Sequence, residues 1–357
     1  MTHKRTLLKL TTICCLILTL FLLQKLLMPK YVTAIVEGSL IEEYYQENAG
    51  HDVIFIGDCE VYGNISPVTL WEKYGITSYI RGSAQQLIWQ SYYLMEETLK
   101  YEKPKVFVFN VLAMKYNEPQ KEEYNRLTLD GMRLSMSKIR AIRASMTEDE
   151  HMIEYLFPLL RYHSRWSELT HEDFKYMFKK DKIFHNGYYM RVDVKPVTSI
   201  PTPRKLPDYN LGENAWHYLD KMVELAEEND IELVLMKAPT IYPHWYDEWD
   251  AQIKEYAEEH DLLYINFLER MDEMGIDLYT TDTYDSGLHL NLSGAEKLSA
   301  YFGNILKEKF DLEDHRQDEK YRLIWQDKVD FYYQMAENQH NEIEKYGYLR
   351  SIAGGNQ

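Results

Sequence analysis

The chain has 357 residues, 45 % of them hydrophobic and 27 % charged, enough for the core of one large domain or two small ones. A formal net charge of −17 leaves little to neutralise phosphates, which argues against a nucleic-acid partner and otherwise favours solubility. The 30 tyrosines and 7 tryptophans supply aromatic surface for core packing or for stacking on sugar rings.

Residues 1–6 precede an apolar run at 7–28 that has no charge between Lys9 and Lys25. Those two lysines can snorkel, stretching the run toward the roughly 20 residues a bilayer requires. Lys4, Arg5 and Lys9 put the N-terminus in the cytoplasm by the positive-inside tendency, with the rest of the chain on the outer side. Val32-Thr33-Ala34 offers a loose cleavage site for a signal peptide, but the run reaches Met28 without a clean small-x-small site, which favours an uncleaved anchor. Cys14 and Cys15 lie inside the span, as small hydrophobes or palmitoylation sites, and Ile13 in front of them excludes a lipobox. Cys59 is then the single thiol of the outer part, so no intramolecular disulfide can form, which points to a Gram-positive bacterial surface.

After a linker at 29–50, apolar, β-branched and aromatic runs at 52–57, 77–81, 105–111, 231–236 and 262–266 predict buried strands. Helical spacing predicts helices at 84–101, at 212–229 and from Gly294 to Phe310, the last with Ser293 as N-cap and Glu296 completing a capping box. Strands alternating with helices mean an α/β fold: a doubly wound parallel sheet between two helical layers, over residues 51–310. The polar stretch 115–205 shows no buried strand and is expected to be a mostly helical insertion over the strand ends. Residues 311–357 read as a charged, helix-prone tail, helical from Tyr321 to Tyr346 and ending in Gly354-Gly355.

Two motifs lie far apart. Val53-Ile54-Phe55-Ile56 ends in Gly57-Asp58-Cys59-Glu60, and Asp282-Thr283-Tyr284-Asp285-Ser286-Gly287-Leu288-His289-Leu290-Asn291 opens the last helix. Together they resemble the first and last blocks of the SGNH (GDSL-like) hydrolase superfamily. There a strand-end Gly-Asp-Ser carries the nucleophile, and an Asp-x-x-His carries the base and its orienter. The resemblance covers roughly 50–115 and 205–310. It implies Cys59 as nucleophile in place of serine, His289 as base, and Asp285 or Asp282 as orienter, Asp285 preferred for proximity although its spacing to His289 is one residue longer than the family's. Oxyanion donors would be Gly82, in Arg81-Gly82-Ser83, and Asn110, whose block lacks the family's Gly-x-Asn-Asp glycine and aspartate. Lys237, at the end of the fourth predicted strand, is a candidate substrate contact, and Tyr242, His244, Trp245 and Trp249 beyond it would suit a glycan ring or a packed loop.

Anchor, outward domain and insertion together look most like the D-alanyl-lipoteichoic acid transfer proteins and the alginate-acetylation type of SGNH-like proteins. That likeness implies acyl transfer or ester hydrolysis on an envelope polysaccharide or teichoic-acid-type polymer, alongside a membrane-bound O-acyltransferase. The alternative is a catalytically degenerate domain that binds glycan or scaffolds such an acyltransferase. No metal-ligand spacing, phosphate loop or dinucleotide fingerprint occurs, so no cofactor is implied.

Overall fold

The computed structural model describes residues 2–29, 37–47, 50–178 and 185–353; Val32-Thr33-Ala34, part of the 29–50 linker and Gly354-Gly355 lie outside the described residues. The five apolar runs form one parallel sheet from β1 (Val53–Gly57), β2 (Ser78–Gly82), β3 (Val106–Asn110), β4 (Glu232–Lys237) and β5 (Leu263–Asn266). Their spatial order is β2-β1-β3-β4-β5, with Gly57 opposite Gly82 at the last register pair of β1 and β2.

Alternation along each strand divides the core in two. Val53, Phe55, Ile80, Val108, Val234 and Met236 face one layer, built on helices Pro67–Tyr74, Leu292–Lys309 and Glu319–Tyr346. Ile54, Ile56, Tyr79, Phe107, Phe109 and Leu235 face the other, built on helices Ile88–Thr98, Glu213–Glu228 and Asp247–Glu259. Cover on both faces is why the strands read as continuous apolar runs. The chain leaves β1 for β2 on one side and returns to β3 on the other, so the carboxyl end of β1 is the point where the winding reverses, the usual ligand position in such sheets.

Three expectations need correction. The last helix, Leu292–Lys309, is capped by Asn291, whose Oδ1 accepts from Gly294 N at 3.2 Å. Ser293 instead donates to Asp282 at 2.7 Å, and Glu296 accepts from Tyr332 at 2.9 Å. Second, residue 310 is no physical boundary. Helix Glu319–Tyr346 lays Trp325 on Trp71 (centroids 5.0 Å apart, 13° between planes) and buries Tyr332 in the first core layer.

Third, the insertion is helical only in its first part, from Glu122–Leu129 through His171–Lys175. From 189 to 211 it carries neither helix nor strand; Pro196, Pro201, Pro203 and Pro207 each remove a backbone donor. This segment runs as a strap over the site: Tyr189 N donates to Tyr62 O at 2.7 Å, Leu292 N to Arg191 O at 2.6 Å, Lys195 N to Thr283 O at 2.9 Å and Ser286 N to Lys195 O at 3.0 Å. Gln339 of the long C-terminal helix clamps it through Val192 N (3.1 Å) and Met190 O (3.0 Å). Among the described residues Thr2–Leu27 is the one helix long and apolar enough to cross a membrane.

Candidate active site

Gly57 ends β1 because nothing larger fits: a Cβ there would lie 2.6 Å from Val61 Cγ2 and 3.0 Å from Asn110 Cβ. Asp58 then caps the short helix Cys59–Tyr62, accepting from Glu60 N at 3.0 Å, and Cys59 opens that helix, half-buried and unoxidised. The loop carrying His289 is folded on itself by Thr283, which pairs with Leu290 and whose Oγ1 accepts from Gly287 N at 2.9 Å. Asn64 locks the two segments together, its buried Oδ1 accepting from Leu290 N at 2.8 Å. Beside it, a Cβ at Gly63 would stand 3.5 Å from His289 Cδ2, so the imidazole lies directly against the Cys59 turn.

The His289 ring lies close enough to the Cys59 thiol for each to shift the ionisation of the other. On the far side of the ring, His289 Nδ1 donates to Asp285 Oδ2 at 2.5 Å, and the other Asp285 oxygen accepts from His289 N at 2.8 Å. Double anchoring of one carboxylate fixes ring orientation and tautomer, leaving Nε2 for the thiol. Burial pushes the Cys59 thiol up, and the His289 charge pulls partly back. Burial also opposes the imidazolium, but the Cys59 charge and the Asp285 bond outweigh it and carry His289 well above the usual histidine range. Asp282 takes no part. It is fully buried, receives Lys297 Nζ at 2.6 Å and Asp277 N at 2.7 Å, and braces the loop.

The remaining candidates are placed otherwise. Gly82 lies against the nucleophile turn: a Cβ there would be 3.0 Å from Gly57 O and 3.4 Å from Asp58 O. Asn110 Nδ2 spends its two hydrogens on Asp58 Oδ1 (3.1 Å) and Glu60 Oε2 (3.0 Å), so this amide has no donor left for an oxyanion. Lys237 is not a substrate contact in this arrangement. Fully buried, its Nζ donates to Glu60 Oε1 (2.9 Å), Ala238 O (2.8 Å) and Thr240 Oγ1 (3.1 Å). Thr240 also donates to Glu60. Next to the Cys59 turn, then, lies a buried network of two carboxylates, one ammonium, one amide and one hydroxyl. Burial and the neighbouring Glu60 charge push Asp58 up to about 6.

Sequence reasoning missed Glu60, Asn64, Tyr116, Tyr284 and Arg191. Tyr284 stacks on His289 (5.6 Å, 10°) and in turn carries Arg191 over its other contact, 4.4 Å from the ring centre. Tyr116 is near enough to feel the charges of Asp58 and Cys59, which with burial raise its hydroxyl to about 12. In the aromatic cluster, Trp245 is core, donating to Asp250 at 3.1 Å, whereas Tyr242 is exposed and its N–H reaches Gly287 O of the His289 loop at 3.4 Å. Among the described residues no group of three or more His, Cys, Asp or Glu side chains is placed to share a metal ion.

No family model matches the chain, and no curated protein matches it. Its structure is similar to solved structures of low identity. A protein assigned to the G-D-S-L lipolytic family from Desulfitobacterium hafniense is 14 % identical, with 71 % of this chain and 98 % of that one covered at a TM-score of 0.37. A protein assigned as an acylhydrolase from Bacteroides fragilis is 12 % identical (75 % and 94 % covered, TM-score 0.37). A GDSL-like lipase from Bacteroides thetaiotaomicron is 12 % identical (76 % and 100 % covered, TM-score 0.37).

Proposed function

We propose that the chain is a membrane-anchored acyl-transfer or ester-hydrolysing enzyme of SGNH type, acting on the outer side of a bacterial membrane on an envelope polysaccharide or teichoic-acid-type polymer. The observation that carries this reading is the His289 ring set against the Cys59 turn at the carboxyl end of β1, with Asp285 holding its Nδ1. In the proposed reaction His289 takes the thiol proton as the sulfur attacks the ester carbonyl. The tetrahedral intermediate collapses to a Cys59 thioester, and the proton leaves with the departing alcohol. A hydroxyl of the polymer, or water, then gives its proton to His289 and takes the acyl group, restoring the thiol. With Asn110 engaged, the backbone N–H groups of Cys59 and Gly82 are the donors for the developing oxyanion. A thioester hands its acyl group readily to another nucleophile, which favours transfer, with a membrane-bound O-acyltransferase as the candidate partner.

The test is mass spectrometry of the full chain after exposure to an activated acyl ester. The expected result is a mass increase of one acyl group on Cys59, absent from Cys59→Ala. An intact fold with no adduct would overturn the assignment.

One observation favours a second reading, a non-catalytic domain that binds glycan or scaffolds the acyltransferase: burial raises the thiol and the Asn110 amide is spent. If Cys59→Ser and Cys59→Ala both retain the parent's envelope phenotype, that reading replaces the first.

A further inference from the structure

The helix Thr2–Leu27 is bare of protein along most of its length and covered only at its end. Residues 4–23 are exposed, Gln24 to Leu26 are half-buried, and Leu27 is buried. The cover comes from the insertion, where helix Leu159–Tyr162, the turn His163–Ser167 and helix His171–Lys175 pack against the anchor. Arg165 Nη1 fastens the contact by donating to Leu27 O at 2.6 Å. Arg165 also holds Asp173 at 3.2 Å, tying the turn to the helix His171–Lys175.

These elements and the residues flanking them hold large apolar side chains out of the protein. Ile153, Phe157, Leu160, Trp166, Phe174 and Phe178 are between 49 % and 72 % exposed within one short stretch. Single exposed apolar residues are ordinary on a soluble surface, but a run of six beside an anchor marks a contact surface. Arg161, His163, His171 and Lys175, all exposed, are interleaved with them, as is the exposed Glu168. Short helices carrying Trp and Phe among charged and polar residues are the composition of a segment lying in the headgroup region. The height is set by the anchor. If lipid surrounds residues 4–23, it must end where the insertion begins to cover the helix, and the apolar cluster starts at that level.

We propose that residues 153–178 rest on the bilayer surface from which Leu27 emerges, with Phe157, Leu160, Trp166, Phe174 and Phe178 dipping into the boundary between headgroups and acyl chains. Lipid is favoured over a protein partner because the elements at the centre of this stretch pack against the end of the anchor, whose residues 4–23 are bare of protein. The proposal rests on the reading of Thr2–Leu27 as a membrane span. It fixes how the candidate site is held relative to the membrane, since the same insertion continues into the strap that bonds to the His289 loop.

The experiment reconstitutes the full chain in phosphatidylcholine–phosphatidylglycerol vesicles, with or without lipid brominated in the acyl chain just below the headgroup. Subtracting the fluorescence of Trp166→Phe isolates the Trp166 signal. The expected result is quenching of that signal by about twofold or more in brominated vesicles, with poor access to aqueous iodide, while the protein resists alkaline carbonate extraction. Resistance to extraction combined with an unquenched, iodide-accessible Trp166 would overturn the lipid contact and leave the patch to a protein partner. Release by carbonate would overturn anchor and patch together. Acylation of Cys59 by a soluble activated ester, measured on the same vesicles, reports on the proposed chemistry independently of either outcome.

Discussion

Replacing Asp58 by asparagine isolates the electrostatics of the buried network under Cys59. Asp58 is 3 % exposed, and its pKa stands at about 6 against an ordinary value of 3.8, because burial and the Glu60 charge oppose its ionisation. The native state therefore binds more protons than the unfolded chain between about pH 4 and pH 6, and stability falls as pH rises through that window. A shift of about 2 units, at about 1.4 kcal/mol each, makes the ionised carboxylate cost up to about 3 kcal/mol above pH 6. Asparagine keeps an oxygen to accept from Glu60 N and Asn110 Nδ2 while removing the charge. Asp58→Asn should then stabilise the protein by up to about 3 kcal/mol at pH 8, falling below about 1 kcal/mol at pH 4. Urea denaturation of the full chain in detergent, followed across that pH range, reads the difference. A gain independent of pH, or a net loss at pH 8, would refute the argument and mean that the Lys237 ammonium holds Asp58 ionised without penalty.

Asp285→Asn removes the anion that orients and charges His289; acylation of Cys59 should slow by about 10²–10⁴-fold with little change in melting temperature, measured by stopped-flow or timed mass spectrometry. His289→Ala removes a neighbour whose charge draws the thiol pKa down, so the pH–rate profile of Cys59 alkylation should move to higher pH, with the rate at pH 8 about tenfold lower. Trp325→Ala deletes the partner of Trp71 and should cost about 3–5 kcal/mol in urea denaturation. A cost near zero would show that the C-terminal helix is an accessory after all.

The sheet was legible because strands buried on both faces must be apolar throughout, and each of the five observed strands lies within a residue or two of its apolar run. The C-terminal helix was harder to read. Between Glu319 and Tyr346 only Trp325, Tyr332, Ala336 and Gln339 are buried, a narrow stripe on a charged rod that composition describes as solvent-facing. The strap is illegible for another reason: its bonds go to Tyr62, Thr283, Ser286, Leu292 and Gln339, partners distant in sequence, and no local period announces them. At the site, the two motifs located the turn that bears Cys59 and the loop that bears His289, since both lie beyond apolar segments. Glu60 could not be read as buried. An acidic residue in the first turn of a helix ordinarily faces solvent and favours the dipole, and only the sheet topology brings Lys237 of β4 across to it.

Glu60 also explains why the Asn110 amide is engaged. A carboxylate buried between β1, β3 and β4 must be paired, and here it draws Lys237 Nζ, the Thr240 hydroxyl and one hydrogen of Asn110. The other hydrogen of Asn110 goes to Asp58. An asparagine serving two carboxylates cannot also serve an oxyanion, so under the proposed chemistry one side-chain donor is missing, a loss that costs acyl-transfer enzymes about 10²–10³ in rate. Sulfur offsets part of that deficit in the second half-reaction, because a thiolate leaves the tetrahedral intermediate more readily than an alkoxide does. The cysteine at 59 and the engaged asparagine at 110 are thus compatible departures. Under the proposed chemistry the pair suits holding an acyl group as a thioester until an acceptor hydroxyl arrives, and suits rapid hydrolysis of unactivated esters poorly.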